Sequence, residues 1–394
     1  MVRFLVKRGL ITSIALCVCW FLYNGLSINK KIYIVNTEED VYQYISTTKY
    51  KPLNISSNES RTKHDLPKHS SHPKHNRTKL WEKEMTSNDL IQKLQKVRKS
   101  YQSMNRYKVK FQGTINQQHN PHELLFQLKH RVNLTTLKSS DLPDNASSWS
   151  QYLPDKDIHE AVGKLRQCAV VSSAGSLIGS RLGQEIDSHD AVLRLNAAPT
   201  KEFEIDVGSK TTFRLINSQV VTSVNHHFLE NRIYKDVILI MWDPAPYDAD
   251  IYQWYKKPEF KFFEPYRKHR IANPKQLFYI LKPQTLWQLW NIIQENSPEQ
   301  IQPNPPSSGS IGILLMMNIC EEVNVYEFLP SLRQTDRCYY FKPYFDSACT
   351  FGGYHPLIYE KNVFKKLNQG TKEDVYEKGK VTLPGMRQHL PKSG

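Results

Sequence analysis

Two kinds of side chain in this sequence are placed to do chemistry. One is His355, which follows Gly352-Gly353 and has Glu360 nearby. The glycines leave room for a substrate, and a neutral imidazole accepts a hydroxyl proton. A lone histidine is more often structural. The other kind is a set of hydroxyl and amide groups that end short apolar runs: Ser172 and Ser173, then Asn196, then Asn217, all within residues 168–217. Short apolar runs separated by helical or loop-like spacers read as buried parallel strands. In open parallel sheets ligands sit outside the carboxyl ends of the strands, so three such tips can converge on one polar ligand. The Ser-Ser-Ala-Gly-Ser turn at 172–176 also precedes a helix, whose start offers N–H groups to a phosphate. This stretch weighs a nucleotide or nucleotide-sugar site equally against a buried α/β core with ordinary turns.

A second turn of the same kind lies at 303–309, Pro-Asn-Pro-Pro-Ser-Ser-Gly, ahead of the apolar run 310–320. A rigid proline turn followed by small residues at a helix start is receptive to an anion. A serine cap on a buried helix would account for the serines alone, and Met316 and Met317 read as core. Between Cys338 and Cys349 the sequence is aromatic. Aromatic faces suit sugar or base stacking, and a bridge between these two cysteines would pin the loop, worth roughly 3 kcal/mol by the loop-entropy model.

The elements that must position these groups are strands at 169–172, 191–195, 212–216, 237–242, 277–281 and 323–328. Proline follows each of the last three runs and supports termination. Helical spacing of Leu286, Trp287, Leu289, Trp290 and Ile293 predicts a helix over 285–295, with others at 122–132 and 87–101. The fold class is α/β with a mostly parallel sheet covered on both faces. There is no internal repeat.

The whole chain of 394 residues has a net charge of +15 and 39% hydrophobic residues, with a mean hydropathy of −0.56. It is long enough for one large catalytic domain plus polar, uncored segments. The charge permits nucleic-acid, anionic-membrane or anionic-substrate contact without choosing among them. Residues 9–26 form an uncharged run about long enough to span a bilayer, preceded by Arg3, Lys7 and Arg8, which favour a cytosolic N-terminus. No small-x-small cleavage site follows, so an uncleaved anchor is preferred over a signal peptide. The N-x-[ST] sequons Asn54, Asn58, Asn76, Asn133 and Asn145 all follow the anchor, as in a lumenal stem and domain edge. The expected organisation is a cytosolic tail at 1–8, an anchor at 9–27, a largely disordered stem at 28–120 and a lumenal catalytic domain at 121–394. The histidine-bearing run 63–79 reads as solvated stem rather than a metal tract. Anchor and sequons together indicate an oxidising compartment and oppose a nucleic-acid partner. Beyond Cys17 and Cys19, the cysteines are Cys168, Cys320, Cys338 and Cys349; none has C-x-x-C spacing, and three pairings are open.

The block at 168–176 with Asp-Ala-Val-Leu-Arg-Leu-Asn at 190–196 resembles the large motif of animal sialyltransferases. Residues 303–320 resemble their small motif, Cys338-Tyr339-Tyr340 their third motif, and His355 to Glu360 their very small His-x4-Glu motif. Trp242-Asp243-Pro244 and the 302–309 wording are most similar to β-galactoside α-2,6-sialyltransferases. The resemblance covers nearly all of 132–384. It implies a variant Rossmann-like (GT-A-like) glycosyltransferase fold, CMP-sialic acid as donor, and transfer with inversion to the 6-hydroxyl of terminal galactose on glycoprotein glycans. It implies a single-pass type II Golgi membrane protein, with a secreted form if the stem is cleaved. His355 would be the general base. Ser173, Asn196, Asn217, Ser307, Ser308, Gly309, Cys338, Tyr339, Thr350 and Lys361 would hold the donor, and Tyr354, Gln219 and Glu259 would face the acceptor. The resemblance also implies the pairs Cys168–Cys320 and Cys338–Cys349, no metal and no other cofactor. Asp248-Ala249-Asp250 only superficially matches a metal-holding Asp-x-Asp. Close relatives carry a third bridge; here its early position is Phe126 and the tail has no cysteine, which puts C-terminal anchoring in doubt. Two alternatives are a relative preferring GalNAc-terminated acceptors and a catalytically silent sugar-binding protein on the same fold.

Overall fold

Seven strands form one sheet in the order β5-β4-β3-β2-β1-β6-β9. They are β1 Leu165–Val171, β2 Ala191–Leu195, β3 Phe213–Asn217, β4 Ile238–Trp242, β5 Phe278–Ile280, β6 Cys320–Tyr326 and β9 Lys380–Pro384; β7 Arg337–Tyr339 and β8 Lys342–Phe345 form a separate hairpin. This computed structural model describes residues 88–143, 146–346, 349 and 352–386. All belong to the compact unit Pro67–Gly394.

The pairs from β1 through β5 and between β1 and β6 are parallel, and β9 runs antiparallel to β6. Every residue of β2 is buried, and so are four of the five in β3. That is the pattern of strands covered on both faces. After β1 the chain lays β2 to β5 outward on one side. It then returns through the helix Ser308–Ile319 and places β6 on the other side of β1, with Val171 opposite Tyr326. The strand order therefore reverses between β1 and β6, and the crevice outside their carboxyl ends is where such sheets bind ligands.

The helices used below are α1 Asn88–Met104, α2 Pro121–Arg131, α3 Ser218–Thr222, α4 Phe263–Ala272, α5 Gln284–Glu295, α6 Ser308–Ile319 and α7 Leu357–Lys366. The six expected strands and the expected helices at 87–101, 122–132 and 285–295 are all present, with ends shifted by a few residues. The sequence reading did not anticipate β7, β8 and β9. In β9 only Val381 and Leu383 point inward, too few apolar positions for a run to stand out.

Upstream of α2 the chain already packs on this body. Tyr107 is buried with its ring centroid 5.4 Å from that of Trp287, and Phe111 lies 6.0 Å from Trp290. The backbone N–H of Gln117 donates to the Glu295 carbonyl at 2.8 Å. Of the sequons, Asn133 is described and exposed just beyond α2. Asn54, Asn58, Asn76, Asn145, the 9–27 run and Thr350 lie outside the described residues. Among the described residues no helix is long and apolar enough to cross a membrane.

Both disulfides that the resemblance implies are present. Cys168–Cys320 has its Cα atoms 6.2 Å apart and links β1 to the start of β6; Cys338–Cys349 spans 5.5 Å and closes the hairpin. The first bridge ties residues 152 positions apart and so removes much freedom from the unfolded chain. Replacing Cys168 and Cys320 together by alanine is expected to lower stability by about 2–5 kcal/mol, read as a lower urea midpoint. An unchanged midpoint would show that the strand pairing alone supplies the constraint.

Candidate active site

The turn before α6 and the segment before α7 are laced together. The Gln302 side chain donates to the Gly353 carbonyl at 2.8 Å and that of Asn304 to the Tyr354 carbonyl at 2.9 Å. The lacing ends on Glu360, which is fully buried. Its carboxylate accepts from the Ser307 N–H at 2.9 Å and from the hydroxyls of Ser307 and Ser310, each at 2.5 Å. Ser307 is also the cap of α6, accepting from the Ser310 N–H at 3.2 Å. The serines at this helix start are thus committed to an internal carboxylate. The Ser308 and Gly309 N–H groups have no acceptor among the described residues, as is usual in the first turn of a helix. The Ser308 hydroxyl accepts from the Trp242 indole at 3.1 Å, which ties the β4 tip to the same helix start. Gly309 serves packing: a Cβ there would lie 2.8 Å from the Phe328 ring.

His355 sits in this lacing, 8% exposed. Its Nδ1 is 2.7 Å from the Pro305 carbonyl. A carbonyl only accepts, so Nδ1 carries the proton and the neutral ring has its lone pair on Nε2. That tautomer accepts a proton at Nε2. Gly352 has φ of +64° and a Cβ there would meet Leu357 at 2.7 Å, so the turn itself requires glycine. Beside His355, the Tyr354 hydroxyl bonds that of Tyr107 at 2.9 Å and the Tyr101 ring meets the Tyr354 ring edge-on.

The strand tips supply amides of fixed orientation. The Asn196 side-chain carbonyl accepts from the Asn217 N–H at 3.1 Å, and that of Asn217 accepts from the Val220 N–H at 3.0 Å. Because both partners are obligatory donors, each side chain has its NH2 turned away from them. Neither NH2 has an acceptor among the described residues. Asn196 takes a left-handed φ of +47°, held by buried Arg214, which donates to the Asn196 carbonyl at 2.8 Å and the Ala198 carbonyl at 3.0 Å. Burial lowers the Arg214 pKa to about 10.

At the β1 tip, the Ser173 carbonyl accepts from the Tyr340 N–H at 3.2 Å, which brings the hairpin with Cys338 and Tyr339 onto the turn after β1. At the β6 tip, buried Glu327 accepts from Ser176 at 2.8 Å, Ser331 at 2.6 Å and Arg333 at 2.6 Å. The Glu360 and Glu327 carboxylates favour the charged form of Lys361, yet burial lowers its pKa to about 8. On the other side, Gln219 is half-buried in α3, directly after the Asn217 tip. Glu259 pairs with Arg106; burial raises its pKa, against the pull of Arg106. Of the predicted residues, Ser173, Asn196 and Asn217 stand at the strand tips, and Ser307, Ser308, Gly309, Tyr354 and His355 in the two laced segments or the helix start they meet. Sequence reasoning missed Arg106, Tyr107, Arg214, Asp243 and Glu327. Asp243 carried one signal, a carboxylate directly after the β4 run; the others carried none.

The profile of glycosyltransferase family 29 (sialyltransferase) matches residues 111–372. The chain belongs to this sialyltransferase family. It is 54% identical over 309 residues to human beta-galactoside alpha-2,6-sialyltransferase 1, covering 78% of this chain and 76% of that one. It is 53% identical over 316 residues to beta-galactoside alpha-2,6-sialyltransferase 2 of Xenopus tropicalis, covering 79% of this chain and 61% of that longer protein. The solved structure of a mammalian sialyltransferase aligns with 69% of this chain and 89% of its own at 20% identity, with a TM-score of 0.39.

In this sialyltransferase both ends of the very small motif are tied to the segment before α6, His355 through Pro305 and Glu360 through Ser307 and Ser310. Glu360→Gln replaces the oxygen that both serine hydroxyls donate to with an NH2, so these hydroxyls lose their charged acceptor and must turn. The expected outcome is a stability loss of about 1–3 kcal/mol together with at least a tenfold drop in transfer, about 1.4 kcal/mol of barrier. Normal stability and turnover would show that the lacing is dispensable.

Proposed function

We propose that the protein transfers sialic acid from CMP-sialic acid to the 6-hydroxyl of a terminal galactose on glycoprotein glycans, with inversion, with His355 as general base and without a metal. The observation that carries this reading is the Nδ1 contact to the Pro305 carbonyl, which leaves Nε2 as the basic atom. The galactose O6–H would give its proton to Nε2 as O6 bonds to the anomeric carbon of sialic acid. The bond from that carbon to the phosphate oxygen would break, with its electron pair leaving on CMP. Negative charge grows on the phosphate, and catalysis rests on donors that meet it there. The Ser308 and Gly309 N–H groups, the Asn196 and Asn217 amides and the Lys361 ammonium are the donors of this chain suited to that task. Ser173, Tyr339 and Thr350 complete the donor side in this reading, and Tyr354, Gln219 and Glu259 the acceptor side. The galactose acceptor and 6-linkage are supported by the two relatives named above, both called beta-galactoside alpha-2,6-sialyltransferases.

The proposed setting is the Golgi membrane, with the 9–27 run as anchor and the catalytic part in the lumen. The two disulfides agree with an oxidising lumen. As for a metal, Asp250 of the Asp-x-Asp triplet caps a helix by accepting from the Gln253 N–H at 2.7 Å. Among the described residues Asp157, His159 and Glu160 could approach one ion; Asp157 is there paired with Lys138 at 3.3 Å.

The reading is tested by supplying CMP-sialic acid with galactose- and GalNAc-terminated acceptors, with and without EDTA, and reading product linkage by NMR. Transfer to galactose O6, unaffected by EDTA, is expected; transfer confined to GalNAc, another linkage, or EDTA sensitivity would each overturn its part. His355→Ala is expected to lower kcat by about 10²–10⁴-fold while CMP still binds, and near-normal turnover would remove the base. The Lys361 ammonium is full below about pH 8 and is lost as pH rises through that value. The donor kcat/KM should therefore decline above about pH 8, and Lys361→Arg should flatten the decline. An identical pH profile for the arginine variant would contradict a donor role for Lys361.

A further inference from the structure

Asp243 lies directly after β4 and is fully buried. Its carboxylate gathers four donors from three parts of the chain. One oxygen accepts from the Ser218 hydroxyl and, at 3.3 Å, from the Phe260 N–H. The other accepts from the Trp254 indole at 2.8 Å and the Glu259 N–H at 3.0 Å. Burial still raises its pKa to about 6 although all four donors favour the ionised form. A carboxylate kept under such conditions is more than filling.

Two of the tethered residues adjoin the acceptor side. Ser218 opens α3 and is followed by Gln219. The backbone of Glu259 is fixed by Asp243 while its side chain pairs with Arg106. Arg106 in turn adjoins Tyr107, whose hydroxyl bonds that of Tyr354. The donor-side tips Asn196 and Asn217 are held by other groups. One buried carboxylate therefore sets the distance between α3 and the 259–260 loop and has no direct bond to the donor amides.

We propose that Asp243 is a positioning residue for the acceptor: by binding Ser218 and the Glu259–Phe260 backbone together, it holds Gln219 and Glu259 at the spacing an acceptor sugar requires. This rests on the reading of Gln219 and Glu259 as acceptor-facing. Its signature is a separation of the two substrates. Small displacements of positioning groups carry large penalties, so Asp243→Asn in the full protein is expected to raise the acceptor KM about tenfold or more. The donor KM and the CMP Kd should stay within about twofold. Ser218→Ala cuts only the α3 tether and should raise the acceptor KM in the same selective way, which keeps the test alive if Asp243→Asn fails to fold. Trp254→Phe cuts the arm that reaches neither candidate and serves as the control for general destabilisation.

Glu259→Gln and Gln219→Ala are measured alongside. If both leave the acceptor KM unchanged, the reading of these residues as acceptor-facing fails, and the proposal with it. If they raise it while Ser218→Ala and Asp243→Asn do not, Asp243 has no positioning role and only the proposal falls. An equal rise in donor and acceptor KM, or a Trp254→Phe variant as impaired toward acceptor as Ser218→Ala, would likewise overturn it.

Discussion

The site depends on a carboxylate buried against the start of a helix. Burying a charge is costly unless it is paired or well hydrogen-bonded, and Glu360 meets that condition with one backbone N–H and two serine hydroxyls at the head of α6. The helix end also favours a negative group through its aligned peptide dipoles. The contact joins two stretches far apart in sequence, the proline turn at 303–306 and the segment that carries His355. Between the anchoring points, Pro305 fixes the imidazole tautomer. The His355 imidazole is therefore oriented by the Pro305 carbonyl, within a segment tied to the head of α6 through Glu360. A second anion at the same helix end would be repelled by Glu360. Lys361, the next residue, is a cation that feels both the Glu360 and the Glu327 carboxylates.

The sheet provides the other half. Its order reverses between β1 and β6, and the strands that meet there are also joined by Cys168–Cys320. The reversal puts the turn after β1, the Glu327 hub after β6 and the amides after β2 and β3 at one edge of the molecule. These groups are set by bonds to one another and to the residues behind them. Arg214 holds the left-handed Asn196, the Asn217 N–H fixes the Asn196 amide, and Glu327 gathers Ser176, Ser331 and Arg333. Donors fixed before a ligand arrives need little reorganisation when charge develops, which is the physical basis of electrostatic catalysis.

Much of this was legible in the residues. The core strands announce themselves because they are covered on both faces and read as short, mostly apolar runs ended by amides, hydroxyls or proline. The edge pieces did not, because β9 buries only two side chains and the hairpin is held by a disulfide and docking. At the site, the positions of Ser307 and Gly309 were readable but their immediate partners were not: the Ser307 hydroxyl serves Glu360, and Gly309 makes way for Phe328. Glu360 was visible only as a neighbour of His355, and its capping of a distant helix is a tertiary fact. Asp243, Glu327 and Arg214 are of the same kind, since a buried charge is recognisable only once the fold shows what surrounds it.

The most direct test of this account is a crystal structure of the protein with CMP bound. The account predicts the phosphate within about 2.7–3.2 Å of the Ser308 and Gly309 N–H groups or the Asn196 and Asn217 amides, with the His355 Nδ1 contact to Pro305 intact and Nε2 facing the side from which an acceptor hydroxyl would attack. A phosphate bound away from the strand tips and the start of α6, or an imidazole released from Pro305, would contradict it.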